Sequence, residues 1–309
     1  ITFDNRFNKK FSKKIKILNV VKVNKSKQYS KYYKYLRCLI LLIKLIIFDK
    51  NFLLFTFQAN IYCIIISSIL GVDVIARSNS APVGWTKNYC KNFIFRFFFK
   101  YAKSIIVNSV DFKNQIDKKF KINSTVIYNP LNLEEIKLKS KIKINFKFFN
   151  DNKALKIINI ARFTNQKDHI TLLKAFKIIN SKINTKLLII GYGSNKKIIL
   201  EFIKRNNLNK KIKLFNYKDN PYPYIKNSEI FVLTSIYEGL PNVLLEALTL
   251  KKFVISSNCP TGPKEILQNG KYGFLFKTKN YMELSKLILK YSKNKKKYKN
   301  KIIYGYKSL

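Results

Sequence analysis

Residues 231–250 read FVLTSIYEGLPNVLLEALTL, and the rest of the chain is organised around them. Phe231, Val232 and Leu233 make a short apolar run of strand type. Glu238 and Gly239 turn the chain, and Pro241 stands where the pattern predicts the first residue of a helix. Proline suits that position because its missing N–H would have been unpaired anyway. Leu244, Leu245 and Leu248 give the helix a buried side. A strand, a polar turn and a helix in that order leave backbone N–H groups exposed at a helix start, with Glu238 before it and Glu246 beyond it. Helix starts attract phosphate through unpaired N–H groups and the macrodipole. A carboxylate one turn further in can accept two hydrogen bonds from a ribose diol. A nucleotide held by its phosphates and its sugar is one reading. The other is an ordinary strand–turn–helix unit in which Asn242, Glu246 and Thr249 form a solvated helix face.

The full string carries more than its parts. Two glutamates with seven residues between them, filled as EGLPNVLLE, resemble the signature of the retaining glycosyltransferases of family 4, which have the GT-B fold. The resemblance implies an α/β protein with two Rossmann-like domains facing across a cleft. It implies an enzyme with no cofactor, whose co-substrate is a nucleotide-diphosphate sugar, expected to be UDP-linked. Since no Asp-x-Asp pair stands beside a strand, while Arg162, Lys167 and the helix start can carry the diphosphate charge, the enzyme is expected to be metal-independent. The resemblance also implies that Glu238 faces the donor sugar and its leaving diphosphate, while Glu246 binds the ribose hydroxyls. Gly239, Leu240, Asn242 and Val243 would offer backbone N–H groups to phosphate; Pro241 has none to offer.

Upstream, NIARFTNQKDHITLLKAF spans residues 159–176. Arg162 and Lys167 lie on one loop after an apolar strand, and two such cations suit a diphosphate, with Arg as a bidentate fork and Lys as a point charge. In so lysine-rich a chain the plain alternative is a solvated loop. The string resembles the family's arginine–lysine loop, in which these two cations hold the donor diphosphate; Ala161 replaces the usual glycine. Gly191-Tyr192-Gly193 resembles the glycine pair after the next strand. On its residues alone it is equally a tight turn, and close packing near the donor is its expected part. Tyr217, in the polar turn Asn216–Tyr222, lies by position where the family usually holds the base.

Short apolar strands alternate with helices along the whole chain, which argues for parallel α/β sheets. Strands are expected over Ile15–Val23, Asn51–Phe57, Val72–Ala76 and Ser104–Val107, before the lysine-rich stretch 131–153. That stretch has no clear buried strand and reads as a domain junction. The division expected is 1–140 for an acceptor-side domain and 141–309 for a nucleotide-sugar domain. Arg77 and Asn79, at the carboxyl end of a strand, are candidates for contacting acceptor or donor phosphate, or simply for capping. The usual first strand and glycine-rich turn are missing, so the chain reads as starting inside its first domain and stopping short at its end.

Composition bounds the alternatives. The 309 residues suffice for two domains, and 47% are hydrophobic, which excludes a disordered chain. The net charge of +45 invites nucleic acid or an anionic membrane surface as partner. Yet the lysines are scattered, alongside an excess of Ile, Asn, Phe and Tyr with similarly A/T-rich codons, so codon bias accounts for much of the charge. Cys38, Cys63, Cys90 and Cys259 form no ligand spacing, and His169 has no Cys or His neighbour. The expectation is therefore a cytoplasmic enzyme, peripheral at the inner face of the membrane. It would extend a glycan or lipid-linked acceptor in bacterial surface polysaccharide synthesis, without nucleic acid. A nucleotide-sugar epimerase on the same fold, a basic nucleic-acid-binding protein and an inactive membrane-docking scaffold remain the rival readings.

Overall fold

The structure is a computed structural model describing residues 12, 14, 16–18, 30–57, 60–79, 82 and 88–309. The strand expected over Ile15–Val23 lies for the most part outside them. The elements in chain order begin with α1 (Lys31–Phe48), β1 (Leu54–Thr56), α2 (Asn60–Leu70), β2 (Val74–Ser78) and α3 (Tyr89–Phe98). Next come β3 (Ser104–Val107), α4 (Val110–Phe120), β4 (Thr125–Val126) and α5 (Leu133–Ser140). Then follow β5 (Leu155–Ile160), α6 (His169–Asn180), β6 (Thr185–Ile190), α7 (Lys196–Arg205), β7 (Ile212–Phe215) and α8 (Tyr222–Lys226). The last are β8 (Ile230–Leu233), α9 (Asn242–Thr249), β9 (Phe253–Ser257), α10 (Pro263–Ile266), β10 (Gly273–Phe276), α11 (Tyr281–Lys293) and α12 (Lys299–Lys307).

Two compact units separate. One carries α1–α3, β1–β4 and α4 from Ile116 onward; the other carries Asn108–Gln115 and everything from Ile127 to Leu309. In the first, four parallel strands stand in the order β1-β2-β3-β4. Its core includes Val107, Ile116 and Phe120, all fully buried, with Leu42, Ile46, Cys63 and Val72 forming a cluster under α1 and α2. β2 extends to Ser78, so Arg77 belongs to the strand rather than to the loop beyond Ala76.

The second unit has six parallel strands in the order β10-β9-β8-β5-β6-β7. Its strands are apolar on both faces, as parallel strands covered by helices on two sides must be. One face of the sheet (Ile157, Leu187, Ile189, Val232, Ile255) meets α6, α7 and α11 through Leu172, Phe176, Ile203 and Ile288. The other face (Ile158, Leu188, Phe231, Val254) meets α9 and α10 through Leu244, Leu248 and Ile266. Truncating one such residue, Phe231→Ala for instance, removes roughly 3–5 kcal/mol.

The strand order fixes where chemistry can occur. Strands β5, β6 and β7 advance toward one edge and β8, β9 and β10 toward the other, so the direction reverses between β5 and β8. In doubly wound sheets ligands bind beyond the carboxyl ends of the strands at that reversal. The loops there are the one holding Arg162 and Lys167 and the one holding Glu238.

One local expectation is corrected. Pro241 does not open α9; with φ −74° and ψ 97° it is the extended residue before it, and Asn242 is the first helical residue. The lysine-rich stretch 131–153 contains α5, packed on α8 and α9, and anchors through buried Phe149 and through Phe146, whose ring lies 5.5 Å from Phe215 and 5.2 Å from Tyr224.

Candidate functional site

The loop after β5 and the turn after β8 are stitched into one surface. Ile236 N–H donates to the Gln166 carbonyl at 2.8 Å, Gln166 Nε2 to the Tyr237 carbonyl at 2.8 Å, and Thr234 Oγ1 to the Lys167 carbonyl at 2.9 Å. Across this seam Lys167 Nζ lies 2.5 Å from Glu238 Oε1, with 13% and 8% of their side chains exposed. Ser235 Oγ donates to the same carboxylate oxygen at 2.6 Å. Glu238 is thus a buried carboxylate held by one cation and one hydroxyl. Lys167 retains ammonium protons beyond the one it gives to Glu238. Arg162 is exposed, and its guanidinium has no hydrogen-bond partner among the described residues.

Behind the turn lies a second cradle. Glu238 N–H donates to the Pro260 carbonyl at 3.3 Å, and Thr261 Oγ1 to the Glu238 carbonyl at 2.6 Å. Gly262 sits at φ 86°, where a Cβ would stand 2.2 Å from the Gly239 carbonyl oxygen and 2.7 Å from the Pro241 ring. Asn129 Nδ2 donates to Asn242 Oδ1 at 2.7 Å. With its backbone so fixed, the turn presents the amides of Gly239, Leu240, Asn242 and Val243, and none of these meets an acceptor among the described residues. Gly239 and Leu240 are themselves buried. Buried backbone N–H groups are rarely left unpaired, which singles out Gly239 and Leu240. Asn242 and Val243 are first-turn amides of α9, open as at any helix start; together the four can receive a ligand rich in acceptors.

Glu246 lies on α9, half-buried, with no side-chain hydrogen bond among the described residues. Burial pushes its carboxyl up to about 7. The Tyr222 phenol is pushed up to about 12, by burial first and then by the Glu246 charge. Gly191 is required by packing: a Cβ there would stand 1.9 Å from the Ala161 carbonyl oxygen and 2.8 Å from the Phe163 ring. Tyr217 is exposed, and its ring meets that of Tyr192 edge-on at 5.9 Å. Arg77 and Asn79, in the other unit, hydrogen-bond to each other, Nε to Oδ1 at 3.2 Å.

Two buried groups near Lys167 and Glu238 explain themselves. Cys259 is pushed up to about 12 by burial and by the Glu238 charge, so it is an inert thiol. His169 packs edge-on to Phe163 at 5.3 Å, and burial together with the Lys167 charge pushes its imidazole down to about 4. It is neutral at ordinary pH.

Residues 140–308, more than half of the chain, match the family described as Glycosyl transferases group 1. The chain belongs to that family. An uncharacterized glycosyltransferase of Methanocaldococcus jannaschii is 36% identical over 201 residues, covering 59% of this chain and 50% of that protein. The Campylobacter jejuni N-acetylgalactosamine-N,N'-diacetylbacillosaminyl-diphospho-undecaprenol 4-alpha-N-acetylgalactosaminyltransferase is 29% identical over 240 residues, covering 74% of this chain and 63% of that enzyme. The chain therefore spans between half and two thirds of the length of these two curated relatives. Anabaena HepE, solved in complex with UDP, superposes with a TM-score of 0.72 at 15% identity, covering 90% of this chain and 78% of that one. Staphylococcus aureus TarM superposes with a TM-score of 0.63 at 18% identity, covering 76% of this chain and 46% of that one. These likenesses show the fold, GT-B, with its parallel α/β sheets.

In this group 1 chain the glutamate turn and the arginine–lysine loop come together, and the glycine pair packs directly behind the loop. Arg77 and Asn79 lie in the first unit. Sequence reasoning passed over Ser235, three positions before Glu238 in the same turn, and Thr261, Gly262 and Asn129, which reach the turn from distant positions. It also passed over Tyr192, whose signal was an aromatic ring between two glycines.

Proposed function

We propose that this chain is the sugar-transferring part of a retaining family 4 glycosyltransferase that uses a UDP-linked donor and a glycan or lipid-linked acceptor in surface polysaccharide synthesis. One observation carries the reading: the amides of Gly239, Leu240, Asn242 and Val243, unmet among the described residues, stand in the turn whose Glu238 pairs with Lys167. The hard step is breaking the bond between the sugar's anomeric carbon and the diphosphate oxygen, which leaves charge on the diphosphate. Unmet N–H groups, the spare protons of Lys167 and the Arg162 fork stabilise that charge without reorganising as it develops. On this reading they do so without a metal ion, so turnover survives a chelator. Glu246 accepts from the two ribose hydroxyls, and Tyr217 with Tyr192 offers ring faces to the base. Retention follows from the EGLPNVLLE resemblance. UDP in the HepE structure and the polyprenyl-linked acceptor named for the Campylobacter relative support the donor and acceptor classes. On this reading the enzyme works on its acceptor at the surface of an anionic bilayer.

The test separates the two glutamates. Glu246→Gln should weaken UDP binding, whichever sugar the donor carries. Glu238→Gln should keep near-normal UDP affinity and lose most transfer, because an interaction stronger in the transition state changes turnover more than binding. Calorimetric UDP binding beside single-turnover transfer reads both. Normal binding and transfer in both variants would remove the turn from the site.

A further inference from the structure

We infer that Glu265 is a positioning residue for the turn before α9: it holds Tyr128, and the adjoining Asn129 then fixes where α9 begins. The inference rests on the proposed reading only for what the turn binds, and one arm of its test needs no ligand. Glu265 stands on α10, half-buried. Val110 N–H donates to its Oε1 at 3.1 Å and Asp111 N–H to its Oε2 at 3.0 Å. The Tyr128 phenol also donates to Oε1, at 2.9 Å. Glu265, Val110, Asp111 and Tyr128 all belong to the second unit. Val110 and Asp111 open α4, so two of these bonds make Glu265 a carboxylate cap on a helix start. That cap is complete without a tyrosine. Ser109 Oγ accepts from Phe112 N–H at 3.2 Å and the Ser109 carbonyl from Lys113 N–H at 3.0 Å, so every N–H of the first turn is met. Tyr128 is the contact that capping α4 does not account for. Its side chain is 52% exposed, so burial does not fix it.

What Tyr128 fixes is its neighbour. Pro130 restricts the backbone of Asn129, so anchoring Tyr128 leaves the Asn129 amide little freedom. Asn129 Nδ2 donates to Asn242 Oδ1 at 2.7 Å and to the Leu240 carbonyl at 3.4 Å. α9 needs such a hold. Helices usually fix their start with a side chain just before it, but Pro241 makes no capping bond to α9. The start is held from outside instead, and segment 261–265 reaches it twice. Thr261 Oγ1 donates to the Glu238 carbonyl at 2.6 Å, and Gly262 lies against Gly239 and Pro241. Glu265 reaches the opposite end of the same turn by way of Tyr128 and Asn129.

The experiment measures amide hydrogen exchange over residues 238–246 beside calorimetric UDP binding, in the full chain. Protection there comes from bonds such as Glu238 N–H to the Pro260 carbonyl at 3.3 Å and Leu244 N–H to the Pro241 carbonyl at 3.0 Å. Tyr128→Phe removes the phenol's hydrogen bond and keeps the α4 cap. It should speed exchange over 238–246 and lower UDP affinity, each by about three- to tenfold, with melting little changed. Glu265→Gln should do the same and also lower the melting temperature, because it weakens the α4 cap. Adding Tyr128→Phe to Asn129→Ala should move neither readout further, since one residue acts through the other. Ser109→Ala, which loosens α4 alone, should lower melting and leave both readouts at the parent's values. Parent-like exchange over 238–246 in Tyr128→Phe would overturn the inference, whatever happens to UDP affinity. So would additive effects of Tyr128→Phe and Asn129→Ala, or a Ser109→Ala variant that matches Glu265→Gln in exchange. If Glu265→Gln does not fold, the Tyr128 and Asn129 variants decide. If the parent binds no UDP, the proposed function fails, and exchange alone decides whether Glu265 positions the turn.

Discussion

Glu238 and Glu246 sit eight positions apart in the sequence and meet opposite surroundings. Glu238 has a cation and a hydroxyl; Glu246 has neither among the described residues, and burial lifts it from 4.5 to about 7. A carboxyl raised in the folded state gives stability that is fully present below its unfolded value and lost as pH rises through the folded one. The loss is complete well above pH 7 and amounts to about 3 kcal/mol, since each pH unit of that rise is worth about 1.4 kcal/mol. Glu246→Gln should therefore raise the melting temperature at about pH 8 and leave it unchanged at about pH 4. On the proposed reading the ribose diol donates to the ionised Glu246, so parent UDP affinity should climb relative to Glu246→Gln as pH rises through about 7. Calorimetry on both proteins cancels the titration of UDP itself; a constant ratio across that range would take Glu246 away from the ribose. Lys167 demands a different caution. Removing it strands a buried Glu238, which costs about 3–5 kcal/mol of stability, so Lys167→Ala should unfold more easily as well as bind UDP less. Arg162→Ala is the cleaner probe: affinity should fall by about 1.5–3 kcal/mol with melting unchanged. The sequence named both members of the Lys167–Glu238 pair, but not the pairing, because 71 positions separate them and only the strand order brings them together.

At the scale of elements, the strands were legible because each is apolar on both faces and bounded by a polar loop, as in Leu155–Ile160 and Thr185–Ile190. The start of α9 was misread by one residue, since proline fits either side of a helix boundary and its ψ decides. Less legible was the cradle under the turn. Gly262 is read in sequence as one more loop glycine; its necessity comes from a carbonyl 23 positions earlier, at Gly239. Gly262 and Gly270 both have positive φ, 86° and 92°, but a Cβ at Gly270 meets nothing within 4 Å. Gly270→Ala should thus cost only the left-handed backbone penalty, about 1–2 kcal/mol, with UDP affinity intact. Gly262→Ala adds a clash against the turn that carries the unmet amides, so it should lower the melting temperature further and weaken UDP binding. Equal effects from the two substitutions would mean that the cradle does not shape the turn.

Over the whole molecule, the alternation of strand and helix announced parallel α/β sheets, and the strand order adds what alternation cannot: a reversal that puts the motif loops side by side. The first unit was harder to read because its strands are only two to five residues long and carry fewer signature residues. Charge is the property that neither fold nor family explains. With 61 basic and 16 acidic residues, complete pairing of every carboxylate would still leave a net charge of +45. The ion pairs described, such as Lys103–Asp73 and Lys295–Glu229, are mostly surface pairs worth about 0–1 kcal/mol each. Distributed repulsion between unpaired lysines therefore opposes the compact state, and salt should relieve it. Raising ionic strength from about 0.01 M to about 0.15 M shortens the screening length from about 30 Å to about 8 Å. That range removes repulsion between distant lysines and leaves the buried Lys167–Glu238 pair largely untouched. The melting temperature should rise with sodium chloride by several degrees, at about 2–4 °C for each kcal/mol relieved. Sodium chloride is the appropriate salt, since on the proposed reading phosphate or sulfate would also occupy the turn and stabilise by mass action. A melting temperature that falls over this range would show that specific surface pairs outweigh the repulsion.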